Sequence, residues 1–202
     1  MEILFVRHGE SEANVLNLFY GMGDFHLTEL GKEQAGKAGA LIRKMNFVPD
    51  KIYVSSLTRT HETLISMGYA LDDAEMDARI NERDLGHLDG HNYEELISKN
   101  PTLFEDWRKD WLEYRPGGGE SQMDFRNRIY SFMEELKNLY TNGEKLLVVC
   151  HGGTMKTILS YLFGNEIDSF FRVEFHNCSI LRIRQNEENF YFDALYNIED
   201  FA

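Results

Sequence analysis

Basic residues are scarce in this chain of 202: 21 Lys and Arg stand against 34 Asp and Glu, a formal net charge of −13. That balance repels polyanions and argues against nucleic acid or an anionic membrane surface as a partner. An anionic substrate must then be attracted by a local cluster of basic groups working against the global field. Proline is rarer still, at 3 residues, and no Gly/Ser-rich or repetitive run suggests a linker. One domain over 1–202 is therefore the expectation. The only 2 cysteines, Cys150 and Cys178, fall in or at the end of strand patterns and read as buried free thiols of a reducing compartment. No stretch reaches the ~18 apolar residues of a membrane span. With Glu2 ahead of a short apolar run, the start does not read as a signal peptide. Without secretion the sequon Asn177-Cys178-Ser179 carries no glycan. The expectation is a soluble, cytoplasmic protein with neither nucleic-acid nor membrane partners.

What the chain does have is two stretches of one grammar. Ile3-Leu4-Phe5-Val6 runs into Arg7-His8-Gly9, and Leu146-Leu147-Val148-Val149-Cys150 runs into His151-Gly152-Gly153. Four or five apolar residues in a row read as strands buried on both faces. In open α/β sheets ligands bind at the carboxyl ends of such strands, and neighbouring parallel strands would bring the two imidazoles together. Glu10 to Leu27 is a long polar connection containing Asn14, Gly21 and Gly23, and such a length is usually functional. Thr28 caps a helix with its stripe at Leu30, Ala35, Ala38, Leu41, Ile42 and Met45. Lys51 to Ser55 is a strand, and Arg59 enters a helix just beyond its end.

Residues 72 to 119 form an insert with acidic Asp72 to Asp77, a Glu82 loop of no clean period, and helical patches at Tyr93–Lys99 and Thr102–Trp111. Its rings (Tyr93, Phe104, Trp107, Trp111, Tyr114) can pack the insert onto the body, cover a site as a lid, or serve a homodimer contact. Glu120-Ser121 open a helix with the stripe Phe125, Ile129, Phe132, Met133, Leu136 and Leu139, closed by Asn142-Gly143. Thr154 to Phe163 is a helix whose free N–H groups face the histidine edge. Ser179–Arg184 and Phe190–Leu195 alternate as a hairpin about the loop Gln185 to Asn189. The fold class expected is a three-layer α/β/α domain with a mostly parallel central sheet, one antiparallel edge strand and a helical or loop insert over the site.

Arg7, His8, Asn14, Arg59, Glu82 and His151 collect at one edge. Taken singly, an arginine there is an ordinary surface ion pair and a His-Gly an ordinary turn. Their joint occurrence at the ends of three strands suits phosphomonoester hydrolysis, whose uncatalysed barrier must fall by about 20 kcal/mol or more. Guanidiniums present flat forks to phosphoryl oxygens, neutral imidazole is a competent nucleophile, a second histidine can donate to the equatorial oxygens, and a carboxylic acid can protonate the leaving oxygen. The scheme needs no metal or cofactor. Two imidazoles and a carboxylate are also a metal-ligand set, but Arg7 and Arg59 beside His8 repel a cation.

These residues carry a family resemblance. Leu4 to Asn14 closely resembles the signature of the histidine phosphatase superfamily, also called phosphoglycerate mutase-like. Leu27 to Ala35, Ser55 to Thr63, Glu82 with Gly86 and Gly90, Gly118-Gly119-Glu120-Ser121 and His151-Gly152-Gly153 resemble its further motifs in the same order. The resemblance implies His8 as the nucleophile of a phosphohistidine intermediate, and Glu82 as proton donor and later base. Arg7, Arg59 and His151 would hold the phosphoryl group, helped by Asn14 and by backbone at Gly21 and Gly152. The mutases of the family carry extra basic residues in a longer insert, including an Arg-Arg pair. Here Arg83 matches one position, Asp84-Leu85 replace the usual His-Tyr, and Lys99, Arg108, Lys109 and Arg115 are scattered. A phosphatase acting on a small phosphorylated substrate is therefore expected ahead of a bisphosphate-dependent mutase or a non-catalytic regulator retaining the fold.

Overall fold

Residues 1–140, 143–164, 172–186 and 189–198 are described from a computed structural model. The central sheet is built on β1 (Glu2–Arg7) and β6 (Lys145–Cys150), which run parallel from the pair Glu2↔Lys145 to the pair Arg7↔Cys150. β3 (Lys51–Val54) lies parallel to β6 on its other side, β7 (Ile180–Gln185) antiparallel to β1, and β8 (Phe190–Tyr196) antiparallel to β7. With β4 (Ala74–Met76) outside β3, the strand order is β4-β3-β6-β1-β7-β8. This is the mostly parallel α/β sheet the sequence led us to expect, with the antiparallel pairings confined to one edge.

Both faces are covered, which is why the inner strands are continuously apolar. Ile3, Phe5, Leu146, Val148 and Cys150 face Phe125, Ile129, Phe132 and Met133 of α6 (Gln122–Leu139) and Met155 and Ile158 of α7 (Gly152–Leu162). Leu4, Val6, Leu147 and Val149 face Ala35, Ala38 and Ile42 of α2 (Glu29–Lys44) and Leu64 of α3 (Thr58–Ser66). Two helix starts are built as their residues dictate, whereas α7 begins at Gly152, two residues before the expected Thr154, with no side-chain cap bond from His151. The Thr28 hydroxyl accepts from the Gly31 N–H at 3.0 Å, and Ser121 and Asp124 form a reciprocal capping box. Asn142, one half of the expected α6 stop, lies outside the described residues, as do positions 187 and 188 of the Gln185–Asn189 loop. Both cysteines are buried free thiols. Among the described residues no helix is long and apolar enough to cross a membrane.

The structure adds strands that the sequence pattern did not reveal. β4 sits inside the stretch read as insert. Three residues with the pattern Ala-Glu-Met are too short to show a period, and their pairing with β3 makes them a strand. After α1 (Glu12–Val15), β2 (Leu18–Phe19) pairs with β5 (His91–Asn92), tying the first long loop to the insert. With α4 (Tyr93–Lys99) and α5 (Leu103–Lys109) the insert has a small core of its own, Leu85, Leu88, Leu96 and Leu103, packed with Phe19, Phe104, Trp107 and Tyr114.

Helix α2 approaches the chain just beyond His8 closely enough to require glycine. A Cβ on Gly31 would lie 2.0 Å from the Glu10 carbonyl oxygen, whereas one on Gly36 would meet only the Ser66 oxygen at 3.8 Å. The same change should therefore act with opposite signs in one helix. Gly31→Ala is expected to destabilise by about 1–3 kcal/mol through overpacking. Gly36→Ala is expected to stabilise by about 0.5–1 kcal/mol through helix propensity. Urea titrations of both variants against wild type check the pair.

Candidate active site

The register Arg7↔Cys150 puts the next residues, His8 and His151, side by side, with ring centroids 5.3 Å apart. The end of β1 is pinned on both sides: the His8 N–H donates to the Cys150 carbonyl at 3.0 Å, and the Asn177 side-chain amide donates to the His8 carbonyl at 3.2 Å. A cavity of about 260 Å³ opens here, lined among others by Arg7, His8, Asn14, Glu82 and Gly152. Arg59 and His151 are wholly buried alongside it rather than on its wall.

Hydrogen bonding assigns the tautomers. His8 Nδ1 lies 2.7 Å from the Gly9 carbonyl oxygen, which can only accept, so the proton sits on Nδ1. Nε2 is left with its lone pair and no partner among the described residues, on a ring that lines the cavity. His151 Nδ1 accepts from the Arg59 Nε–H at 3.3 Å, while its Nε2–H donates to Ser55 Oγ at 2.7 Å and that hydroxyl donates to Asn81 Oδ1 at 2.9 Å. Burial first, then the cations Arg59 and Arg7, hold His8 well below the usual histidine range. Burial and Arg59 do the same to His151. Two neutral imidazoles beside two guanidiniums result.

The remaining groups are positioned as firmly. Arg59 donates through its terminal nitrogens to the carbonyls of Gly23 and Gly21 at 2.8 and 2.7 Å, and the Tyr20 ring lies 5.0 Å from its guanidinium carbon. Gly21 thus supports Arg59 from behind, and its own N–H donates to Asp89 Oδ2 at 3.0 Å. Asn14 donates to the Tyr20 hydroxyl at 2.7 Å. Arg7 donates to the Phe175 carbonyl, and its Nε is buried with no partner among the described residues. Glu82 accepts from the Gly153 N–H at the start of α7 at 2.9 Å and from the Arg83 N–H at 2.9 Å. A Cβ on Gly153 would lie 2.3 Å from Glu82 Oε1, so glycine is what lets the carboxylate approach the helix start. Arg128 braces the loop, donating to the carbonyls of Arg79, Asn81 and Glu82 while paired with Glu120 at 2.7 Å.

The sequence reading missed Tyr20, Lys156 and Phe175 on the cavity wall, and Ser55, Asn81 and Arg128 behind it. Lys156 had a signal: it lies one turn into the helix that follows His151. Phe175 and Asn81 had none, because they reach the site through loops without periodicity.

The family model of the histidine phosphatase superfamily (branch 1) matches residues 3–198, and the chain belongs to this family. Relatives at similar length include the 2,3-bisphosphoglycerate-dependent phosphoglycerate mutases of Azorhizobium caulinodans, 35% identical over 79% of this chain and 80% of that protein. That of Nitrobacter winogradskyi is 36% identical over the same shares. Similar solved folds include the alpha-ribazole phosphatase from Shigella flexneri, with a TM-score of 0.86 at 24% identity over 98% of this chain and 97% of that one. A mycobacterial glucosyl-3-phosphoglycerate phosphatase has a TM-score of 0.80 at 24% identity over 95% and 96%.

The two depressed histidines link stability to pH. Below about 6.5 an unfolded histidine binds a proton that the folded His8 and His151 refuse, so the unfolded state carries more protons and stability falls as pH drops through that window. Each group can contribute up to about 1.4 kcal/mol per pH unit. Unfolding free energies measured between pH 7 and 5 should show this slope, and His8→Gln should flatten it. An unchanged slope in the variant would count against a neutral buried His8.

Proposed function

We propose that the protein is a phosphomonoester phosphatase that works through a phosphohistidine on His8, with charge neutralised by arginines rather than by a metal. What supports this most is His8 itself, a neutral imidazole fixed through Nδ1 with its Nε2 lone pair at a cavity also lined by Arg7, Gly152 and Glu82. Nε2 attacks phosphorus as the bond to the ester oxygen breaks, and protonated Glu82 gives its proton to that leaving oxygen. Water then attacks the phosphohistidine, Glu82 takes its proton, and inorganic phosphate leaves with His8 restored. Arg7, on the cavity wall, meets the phosphoryl charge, a close pair being worth about 4 kcal/mol at an effective dielectric near 20, and Arg59 adds its field from behind the wall. His151, with Nδ1 accepting from the Arg59 Nε–H and Nε2–H donating to Ser55, acts behind the wall by fixing the Arg59 guanidinium. Asn14 and the N–H of Gly152 complete the cradle, with Gly21 acting through Arg59.

The mutase reading is favoured by the names of the 35–36% identical relatives. Against it stands Arg83, the residue matching a basic mutase position. Its guanidinium is spent on the Glu120 carbonyl, Gln122 Oε1 and the Tyr114 carbonyl at 3.0–3.1 Å. Lys156 on the cavity wall lies 3.5 Å from Glu174, a poor setting for a second phosphate.

Release of inorganic phosphate from p-nitrophenyl phosphate and from an alkyl phosphate, with EDTA present, tests the reading. Turnover should persist in EDTA and vanish in His8→Ala. Glu82→Gln should lose roughly 10²–10⁴-fold on the alkyl ester and less on p-nitrophenyl phosphate, whose leaving group needs no proton. Phosphoryl exchange between phosphoglycerates dependent on a bisphosphate, with little phosphate released, would make it a mutase.

A further inference from the structure

A second cavity of about 200 Å³ adjoins the first and shares Tyr20, Glu82 and Gly153 with it. Its other walls are Leu85, Trp107, Trp111 and Phe125, with Arg83 and Gln122. The two cavities thus meet at Glu82, the group that faces the leaving oxygen in the reaction just described. The second space therefore lies next to the place an alcohol would occupy on leaving phosphorus beside Glu82.

Its chemistry is unusual for a site in so charged a protein. Arg83 is the one cation on the wall, and burial lowers it to about 10, leaving it charged at neutral pH. It offers no free fork to a second anion, since Nε and both terminal nitrogens donate to Glu120, Gln122 and Tyr114, and its guanidinium carbon lies 5.2 Å from the Trp107 ring and 5.6 Å from that of Trp111. The two indoles are themselves nearly parallel, at 13° with centroids 6.1 Å apart. Trp107 Nε1–H is buried and has no hydrogen-bond partner among the described residues. A buried donor without an acceptor is costly, and a ligand acceptor would relieve it. An apolar cavity of ~150 Å³ accommodates a benzene ring, so this one has room for a single or fused ring.

Resting on the phosphatase reading, we infer that this cavity is the leaving-group subsite. It selects phosphomonoesters whose alcohol carries a flat, uncharged aromatic group, preferably one with a hydrogen-bond acceptor. Small polyanionic substrates such as phosphoglycerates are disfavoured there, because the subsite has apolar walls and no uncommitted cation.

Steady-state hydrolysis by the intact protein of naphthylmethyl, quinolinylmethyl, ethyl and 3-phosphoglycerate monoesters tests this. Naphthylmethyl phosphate should exceed ethyl phosphate in kcat/KM by at least tenfold, the scale on which apolar pockets discriminate, and quinolinylmethyl phosphate should match or exceed naphthylmethyl. Trp107→Ala should lower kcat/KM at least tenfold more for the aromatic esters than for ethyl phosphate, and Trp107→Phe should erase the quinoline advantage. Should the variants fail to fold, 2-naphthylmethanol must still inhibit wild type competitively where ethanol does not. Hydrolysis of all esters at similar kcat/KM, dependent on His8, would overturn the subsite and leave the phosphatase standing. A preference for 3-phosphoglycerate would also overturn the subsite. Hydrolysis of none of them would overturn both.

Discussion

The parallel pairing of β1 with β6 is the constraint on which the site depends. Because Arg7 stands opposite Cys150, the residues that follow them leave the sheet together, and two imidazoles meet at 5.3 Å without either strand bending toward the other. The hydrophobic drive to bury Leu4, Phe5, Val148 and Val149 on two faces is thus also what aligns the two histidines. A slip of one residue would put a different side chain in each place and turn every core residue to the wrong face.

Around that pair the protein solves an electrostatic problem. Two guanidiniums stand in a region where burial already penalises charge. The solution is to satisfy them with backbone dipoles. Gly21 and Gly23 carbonyls hold Arg59, the Phe175 carbonyl holds Arg7, and Asp89 holds the Gly21–Gly23 turn in its place. Cations so held depress both histidines and keep them neutral. The acid loop follows the same rule, with the Arg128–Glu120 pair tying three carbonyls of residues 79–82 beside the start of α7. A strongly acidic chain can therefore hold a local positive field at one sheet edge.

Much of this was legible in the residues alone. Unbroken apolar runs ending in Arg-His-Gly and His-Gly-Gly announced buried parallel strands with their histidines side by side, since only a sheet covered on both faces requires such runs. Most of the helix stripes and the caps Thr28 and Ser121 were read where they occur, because both are local properties of the chain, but Leu30 and Leu139, placed on stripes, are exposed and α7 begins two residues before Thr154. The sequence could not say that β4 is a strand, for three residues carry no period. Nor could it show that Arg59 lies behind the cavity wall, that Gly21 supports Arg59, that His151 is wired to Asn81 through Ser55, or that Arg83 is spent on Tyr114, Glu120 and Gln122. It likewise could not reveal the apolar cavity that Tyr20, Trp107 and Phe125 form together. These are contacts between segments tens of residues apart, and hydrogen bonds of that kind are set by how the elements pack in three dimensions, not by any pattern along the chain.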